Sequence, residues 1–156
     1  MKLVKEHINE MSIKHLKPKS EQEIQSSMSN LSPEEKLRTG AQEGLVWLIK
    51  DAISEGADIH IWNDWALRYA SDRGHAEVVK FLLNAGADVH ANNDAALRWA
   101  SDSGHVEVVK LLLSARADIH VKDELALKWS NNDDHSEVVK LLRQHGNIKM
   151  NQYKNE

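Results

Sequence analysis

Ala66-Leu67-Arg68-Tyr69-Ala70-Ser71-Asp72-Arg73-Gly74-His75 returns thirty residues later as Ala96-Leu97-Arg98-Trp99-Ala100-Ser101-Asp102-Ser103-Gly104-His105. Glu77-Val78-Val79-Lys80 returns as Glu107-Val108-Val109-Lys110 and again as Glu137-Val138-Val139-Lys140, with no insertion in the spacing. Gly56-Ala57-Asp58-Ile59-His60, Gly86-Ala87-Asp88-Val89-His90 and Arg116-Ala117-Asp118-Ile119-His120 keep the same register. Such a period means stacked like units, each burying its apolar face on its neighbours. Four units follow: 31–60, 61–90, 91–120 and 121–150.

Each unit reads as two short helices and a turn. Asp64 and Asp94 precede the first apolar stretch and suit an N-cap, since a carboxylate accepts free N–H groups of a first helical turn. Glu124 is a poorer cap at the same position. Gly74 and Gly104 end the first helix, where a residue able to take positive φ is needed. The second helix is expected over Glu77 to Asn84, with Val78, Val79, Leu82 and Leu83 on one face and Gly86 as its stop. Neither helix reaches the roughly 12–15 residues an isolated helix needs, so stacking must supply the stability.

Leu67, Ala70, Gly74-His75, Glu77-Val78-Val79-Lys80, Leu82-Leu83, Gly86-Ala87-Asp88-Val89 and their copies resemble the ankyrin repeat. The resemblance covers about 120 of 156 residues. It implies an all-α solenoid of four stacked helix-turn-helix units. The common Thr-Pro-Leu-His opening is replaced by Trp65-Ala66-Leu67-Arg68, Ala95-Ala96-Leu97-Arg98 and Leu125-Ala126-Leu127-Lys128. The period is 30 rather than the usual 33, and the missing residues fall in the hairpin finger, which is therefore expected to be short. The short period with its Ala-Leu-Arg-Trp-Ala-Ser phrase is similar to repeats abundant in large DNA viruses.

The ends depart from the pattern. Leu31-Ser32-Pro33-Glu34-Glu35 combines Ser at N-cap, Pro at N1 and Glu at N3, a capping box. Gly40 stands where later units have Ala, and Leu45 where they have His. Asp134 replaces the loop Gly of the last unit, which reads as a C-terminal cap, with residues 151–156 as a tail. Residues 1–30 are not a repeat and form an N-terminal helical extension. Val4, Ile8 and Met11 lie on one face of a first helix, and Ser20-Glu21-Gln22-Glu23 opens a second one carrying Ile24 and Met28. The extension either covers the first repeat or forms a separate partner-binding arm.

No residue makes a case for catalysis, and no cofactor is expected. The chain has no cysteine, which excludes thiol chemistry and disulfides. It has no HExxH, Walker loop, GxSxG, or GxGxxG in a strand–helix setting. Asp133-Asp134 reads as solvated loop charge. Nine histidines invite a metal reading, and six recur at two repeat positions: His60, His90, His120 and His75, His105, His135. Neighbouring repeats stack about 8–10 Å apart, so one His per rung cannot gather four ligands at the roughly 2.0–2.1 Å that zinc requires. A structural role is the better reading.

Function then rests on what varies within the array. The repeats hold 14 basic and 19 acidic residues, net −5. That disfavours phosphate backbones and favours a basic or neutral partner surface. No apolar run approaches a membrane span, and the charged N-terminal residues lack a signal-peptide core. The expected protein is intracellular and cytoplasmic (of a host cell, if viral), monomeric when free, and contacts neither nucleic acid nor membrane. The resemblance places recognition on the fingers and the exposed end of the first helices. That row begins with Ile61, Trp62 and Asn63, continues with Ala91, Asn92 and Asn93, and ends with Val121, Lys122 and Asp123. The helix row adds Gln42-Glu43, Asp72-Arg73, Asp102-Ser103 and Asn132-Asp133. Trp62 stands out as a partner contact, because Trp is a favoured hot-spot residue. Trp65 is expected to pack under the finger, Trp47 in its helix, and the column Tyr69, Trp99, Trp129 either in the inter-repeat core or as an exposed stripe. Neither Trp62 nor Asp72 is needed for stacking on this reading. The protein is read as a non-enzymatic adaptor or inhibitor binding another protein; the alternative is an assembly subunit that self-associates or packs in a particle.

Overall fold

Two nine-residue stretches, Ala76–Asn84 and Val106–Ser114, bury the same side chains one period apart: Val78, Val79 and Leu82, then Val108, Val109 and Leu112. A computed structural model describes residues 21–119 and 135–146. Those residues form eight helices and no strand. We number them α1 (Glu21–Met28), α2 (Pro33–Glu43), α3 (Val46–Ser54), α4 (Ile61–Asp72), α5 (Ala76–Asn84), α6 (Ala91–Asp102), α7 (Val106–Ser114) and α8 (Ser136–Gly146).

First helices α2, α4 and α6 pack side by side in one layer, and second helices α3, α5, α7 and α8 in the other. The core runs unbroken between them, from Leu37 and Ile49 through Leu67, Leu82 and Leu97 to Leu112, Val138 and Leu142. Alanines at positions 66, 70, 96 and 100 are buried where first helices approach each other. Small side chains there allow close helix packing. The Ser32 capping box forms as expected: Glu35 N–H donates to Ser32 Oγ at 3.3 Å, and Ser32 N–H to Glu35 Oε2 at 2.9 Å. These bonds to Ser32 hold the Glu35 carboxyl below its ordinary value.

The first repeat differs for physical reasons. A Cβ on Gly40 would lie 2.8 Å from the Ile49 side chain, so Gly lets α2 and α3 close. Lys36 stands where later units have Ala66 and Ala96, and is 1% exposed. Its ammonium donates to Asp51 at 2.7 Å and Glu55 at 2.6 Å, both on the α3 side. Those bonds raise the Lys36 pKa, against burial. Met28 of α1 is buried; the Val4, Ile8, Met11 helix and Ser20 lie outside the described residues.

Candidate protein-interaction face

The finger is reduced to a single left-handed turn. Trp62, Asn63 and Asp64 have φ of 52, 57 and 52°, and Asn92, Asn93 and Asp94 repeat this at 54, 58 and 50°. Right-handed helix begins only afterwards. Left-handed backbone costs an L-residue roughly 1–2 kcal/mol, least for Asn and Asp. Arg68 offsets this by donating to two turn carbonyls, Nε to Asn63 at 2.9 Å and Nη2 to Trp62 at 2.7 Å. Arg98 does the same for Asn93 and Asn92, each at 3.1 Å. Burial lowers the Arg68 pKa, and the Asp64 charge opposes that shift. Arg38, one period earlier, follows a capping box instead of such a turn and is exposed.

Asp64 and Asp94 therefore do not serve as the expected N-caps. Both are buried inside the left-handed turn. Asp64 Oδ1 accepts the Asp88 N–H at 2.8 Å, and Asp94 Oδ1 the Asp118 N–H at 2.8 Å, so each turn grips the loop that follows its own second helix. The His60 and His90 rings pair with Asp64 and Asp94 through Nδ1, at 3.1 and 3.0 Å.

The second histidine position makes the other seam. His75 Nε2 donates to the Gln42 carbonyl at 2.9 Å, and His105 Nε2 to the Asp72 carbonyl at 2.8 Å. Only a protonated Nε2 can do this, which fixes the tautomer. Each imidazole lies against the loop glycine of the preceding repeat: a Cβ would come within 2.8 Å of it at Gly44 and 2.6 Å at Gly74. Leu45 replaces His in the first repeat, which has no earlier repeat to reach.

Of the expected recognition residues, Trp62, Asn63, Asn92 and Asn93 are exposed on the left-handed turns. Arg73 and Asp102 are exposed at the far end of the first helices. Asp72 and Ser103 are half-buried and bonded to each other, Ser103 Oγ donating to Asp72 Oδ1 at 3.2 Å. Asp72 thus belongs to the seam, correcting the expectation that it is irrelevant to stacking. Ile61 is partly buried against the core and Ala91 is buried, so the first position of these two finger rows offers little surface. Val121, Lys122, Asp123, Asn132 and Asp133 lie outside the described residues.

Between these two ends runs an aromatic stripe. Trp62 is 60% exposed and meets Trp65 edge-on, with centroids 6.5 Å apart and planes at 88°. Trp65 stacks on Tyr69 at 4.7 Å, and Arg73 lies 5.2 Å over the Tyr69 ring while donating to its hydroxyl at 2.8 Å. That hydrogen bond leads the causes raising the Arg73 pKa. Trp99 is half-buried, with the Arg68 guanidinium 5.2 Å over its ring. The column thus follows the stripe reading at Tyr69 and Trp99; Trp129 lies outside the described residues. Trp47, expected to pack, is 36% exposed and lines a groove of about 530 Å³ with Gln25 of α1 and Ser29 just after it.

No described helix is long and apolar enough to cross a membrane. The chain matches no curated protein. A family model described as ankyrin repeats (3 copies) matches residues 37–123, more than half of the chain. With its paired helices, glycine-ended first helices and inter-repeat seams, the chain belongs to the ankyrin-repeat family.

Proposed function

We propose that the chain is a non-enzymatic adaptor or inhibitor that binds another protein on its first-helix face. Ankyrin repeats are generally protein–protein interaction modules. One observation carries the assignment of the face: the apolar core of the second helices and the histidine–glycine seam recur every thirty positions, whereas the exposed stripe does not. Trp62 has Asn92 as its counterpart, Trp65 has Ala95, and Tyr69 has Trp99. A partly exposed aromatic row beside charged Arg73 and Asp102 has the make-up of an interface core with a polar rim. Trp62, Asn63, Arg73, Asn92, Asn93 and Asp102 are its contacts. Asp72 and Ser103 hold the far end in place, and by sequence register the proposal takes in Lys122, Asp123, Asn132 and Asp133. The similarity to viral repeats supports a host factor as the partner.

The test is affinity capture of the partner with the full chain, followed by titration. Trp62→Ala with Asp102→Ala should weaken binding by more than about 1 kcal/mol and leave helical circular dichroism unchanged. Lys80→Ala with Lys110→Ala, on exposed positions of the second helices, should change binding little. The reverse result would place the interface on the second-helix layer.

A further inference from the structure

We propose that the Trp62–Trp65 corner receives an arginine or lysine side chain from a basic segment of the protein partner. This rests on the reading that the first-helix face binds protein. Three other aromatic rings of the array have a cation of the chain's own, Arg73 over Tyr69 at 5.2 Å, Arg68 over Trp99 at 5.2 Å, and Lys50 over Phe81 at 5.6 Å, while Trp65 instead stacks on Tyr69. Trp62 is the most exposed of them, and among the described residues no cation lies over its ring. Its ring contact is the perpendicular edge contact with Trp65. An aromatic face attracts a cation through its quadrupole, and Trp does so best.

The backbone under this ring is fixed in advance. Trp62 sits at φ 52°, a conformation sterically unfavourable for so large a residue. Arg68 holds its carbonyl at 2.7 Å. A backbone already ordered loses less entropy when a partner arrives. The Arg68 guanidinium at this carbonyl is buried, and the exposed charge of the loops before the turns has the matching sign. Asp58, exposed, lies four residues before Trp62; Asp88, also exposed, is tied to the same turn through Asp64. Asp118 continues this row of exposed carboxylates at one per repeat, and the four repeats together carry net −5. A basic segment lying across the turns meets carboxylates at repeat spacing and the open Trp62 face at one end. An anionic polymer would meet the same row unfavourably.

The experiment uses the full chain and two synthetic peptides: repeated Arg-Gly-Ser, and the same peptide with citrulline for arginine. Citrulline keeps the shape and removes the charge. Calorimetric titration should show tighter binding of the arginine peptide. Trp62→Leu should weaken it roughly two- to thirty-fold, the span from exposed to desolvated cation–π contacts, while Trp62→Phe keeps most of the affinity. Circular dichroism of each variant should match wild type. If leucine serves as well as phenylalanine, or citrulline as well as arginine, Trp62 is an apolar anchor; the cation proposal then falls and the interface reading stands. If Trp62→Ala alters neither peptide binding nor binding of the captured partner, both fall. Absence of arginine-peptide binding, or oligothymidine binding that Trp62→Leu abolishes, also overturns the proposal.

Discussion

The Asp64 carboxylate accepts the backbone N–H of Asp88 at 2.8 Å, tying the left-handed turn to the loop that leads into the next one. Asp64 is 4% exposed, so deleting the carboxylate leaves a half-buried N–H without its partner. Asp64→Ala should cost about 1–3 kcal/mol, the desolvation cost of an unsatisfied donor. Asp64→Asn, whose amide oxygen still accepts, should cost less. Urea unfolding followed by circular dichroism measures both; Asp102→Ala, at an exposed position, should stay within about 0.5 kcal/mol.

Gly74 and Gly86 both have positive φ, 75 and 99°, but their surroundings differ. A Cβ on Gly74 meets the His105 ring at 2.6 Å, whereas a Cβ on Gly86 meets nothing within 4 Å. Gly86→Ala should show only the backbone penalty of roughly 1–2 kcal/mol. Gly74→Ala should exceed it, because the imidazole must leave the Asp72 carbonyl. Equal melting temperatures for the two variants would contradict the seam.

The helix pairs, the apolar faces and the family were legible in the sequence because they rest on periodicity. Of the expected second-helix face, Val78, Val79 and Leu82 are buried as their spacing implied, whereas Leu83 is only partly buried against the core. The left-handed turn is not legible from the periodicity, although the sequence carries a signal for it. Asn63-Asp64 and Asn92-Asn93-Asp94 tolerate positive φ, and each run is followed by Arg five residues after its Asn. Reading Asp64 as an N-cap used local chemistry alone, while its partner lies twenty-four residues away. The Asp72–Ser103 bond was equally hidden, since its members are thirty-one residues apart and differ between repeats. Trp47 shares its groove with Gln25 of α1, an element outside the periodic array.

Leu112 is fully buried between neighbouring repeats. Leu112→Ala should destabilise by about 2–5 kcal/mol. Lys110→Ala, two residues away and exposed, should be nearly neutral. Chemical denaturation of the two variants in parallel checks the orientation of the second-helix layer.

The capping box gives the acid limb a definite sign. Glu35 is held below its ordinary value of 4.5 by its bonds with Ser32. Its contribution is present in full above that ordinary value and disappears as pH falls through the depressed folded value. Wild type should therefore melt above Glu35→Gln at neutral pH, and the gap should narrow from about pH 4.5 downward. A gap independent of pH would exclude the charged box as its source.

Lys36 answers to the opposite limb. Its pKa is raised above 10.5, first by the hydrogen bond to Asp51 and then by that to Glu55. This contribution is complete below 10.5 and is lost as pH rises through the folded value. The asymmetry of exposure matters as well: the Asp51 and Glu55 side chains are 41 and 42% exposed, whereas Lys36 is 1% exposed. Removing the lysine lets two carboxylates return to water. Removing both carboxylates strands a buried cation. Asp51→Ala with Glu55→Ala should thus lower the melting temperature more than Lys36→Met.

The histidine–glycine contact gives the array a phase. Each contact is built from two successive repeats only, and its partners keep the same register throughout. Excising residues 61–90 would bring His105 to the place of His75, against Gly44 and the Gln42 carbonyl, and the joint would close as before. Removing a fraction of a period would put the imidazole over the wrong backbone and leave that carbonyl without its donor. Length in this protein is therefore quantised: it can change by whole periods, and the surface it displays lengthens or shortens in the same steps.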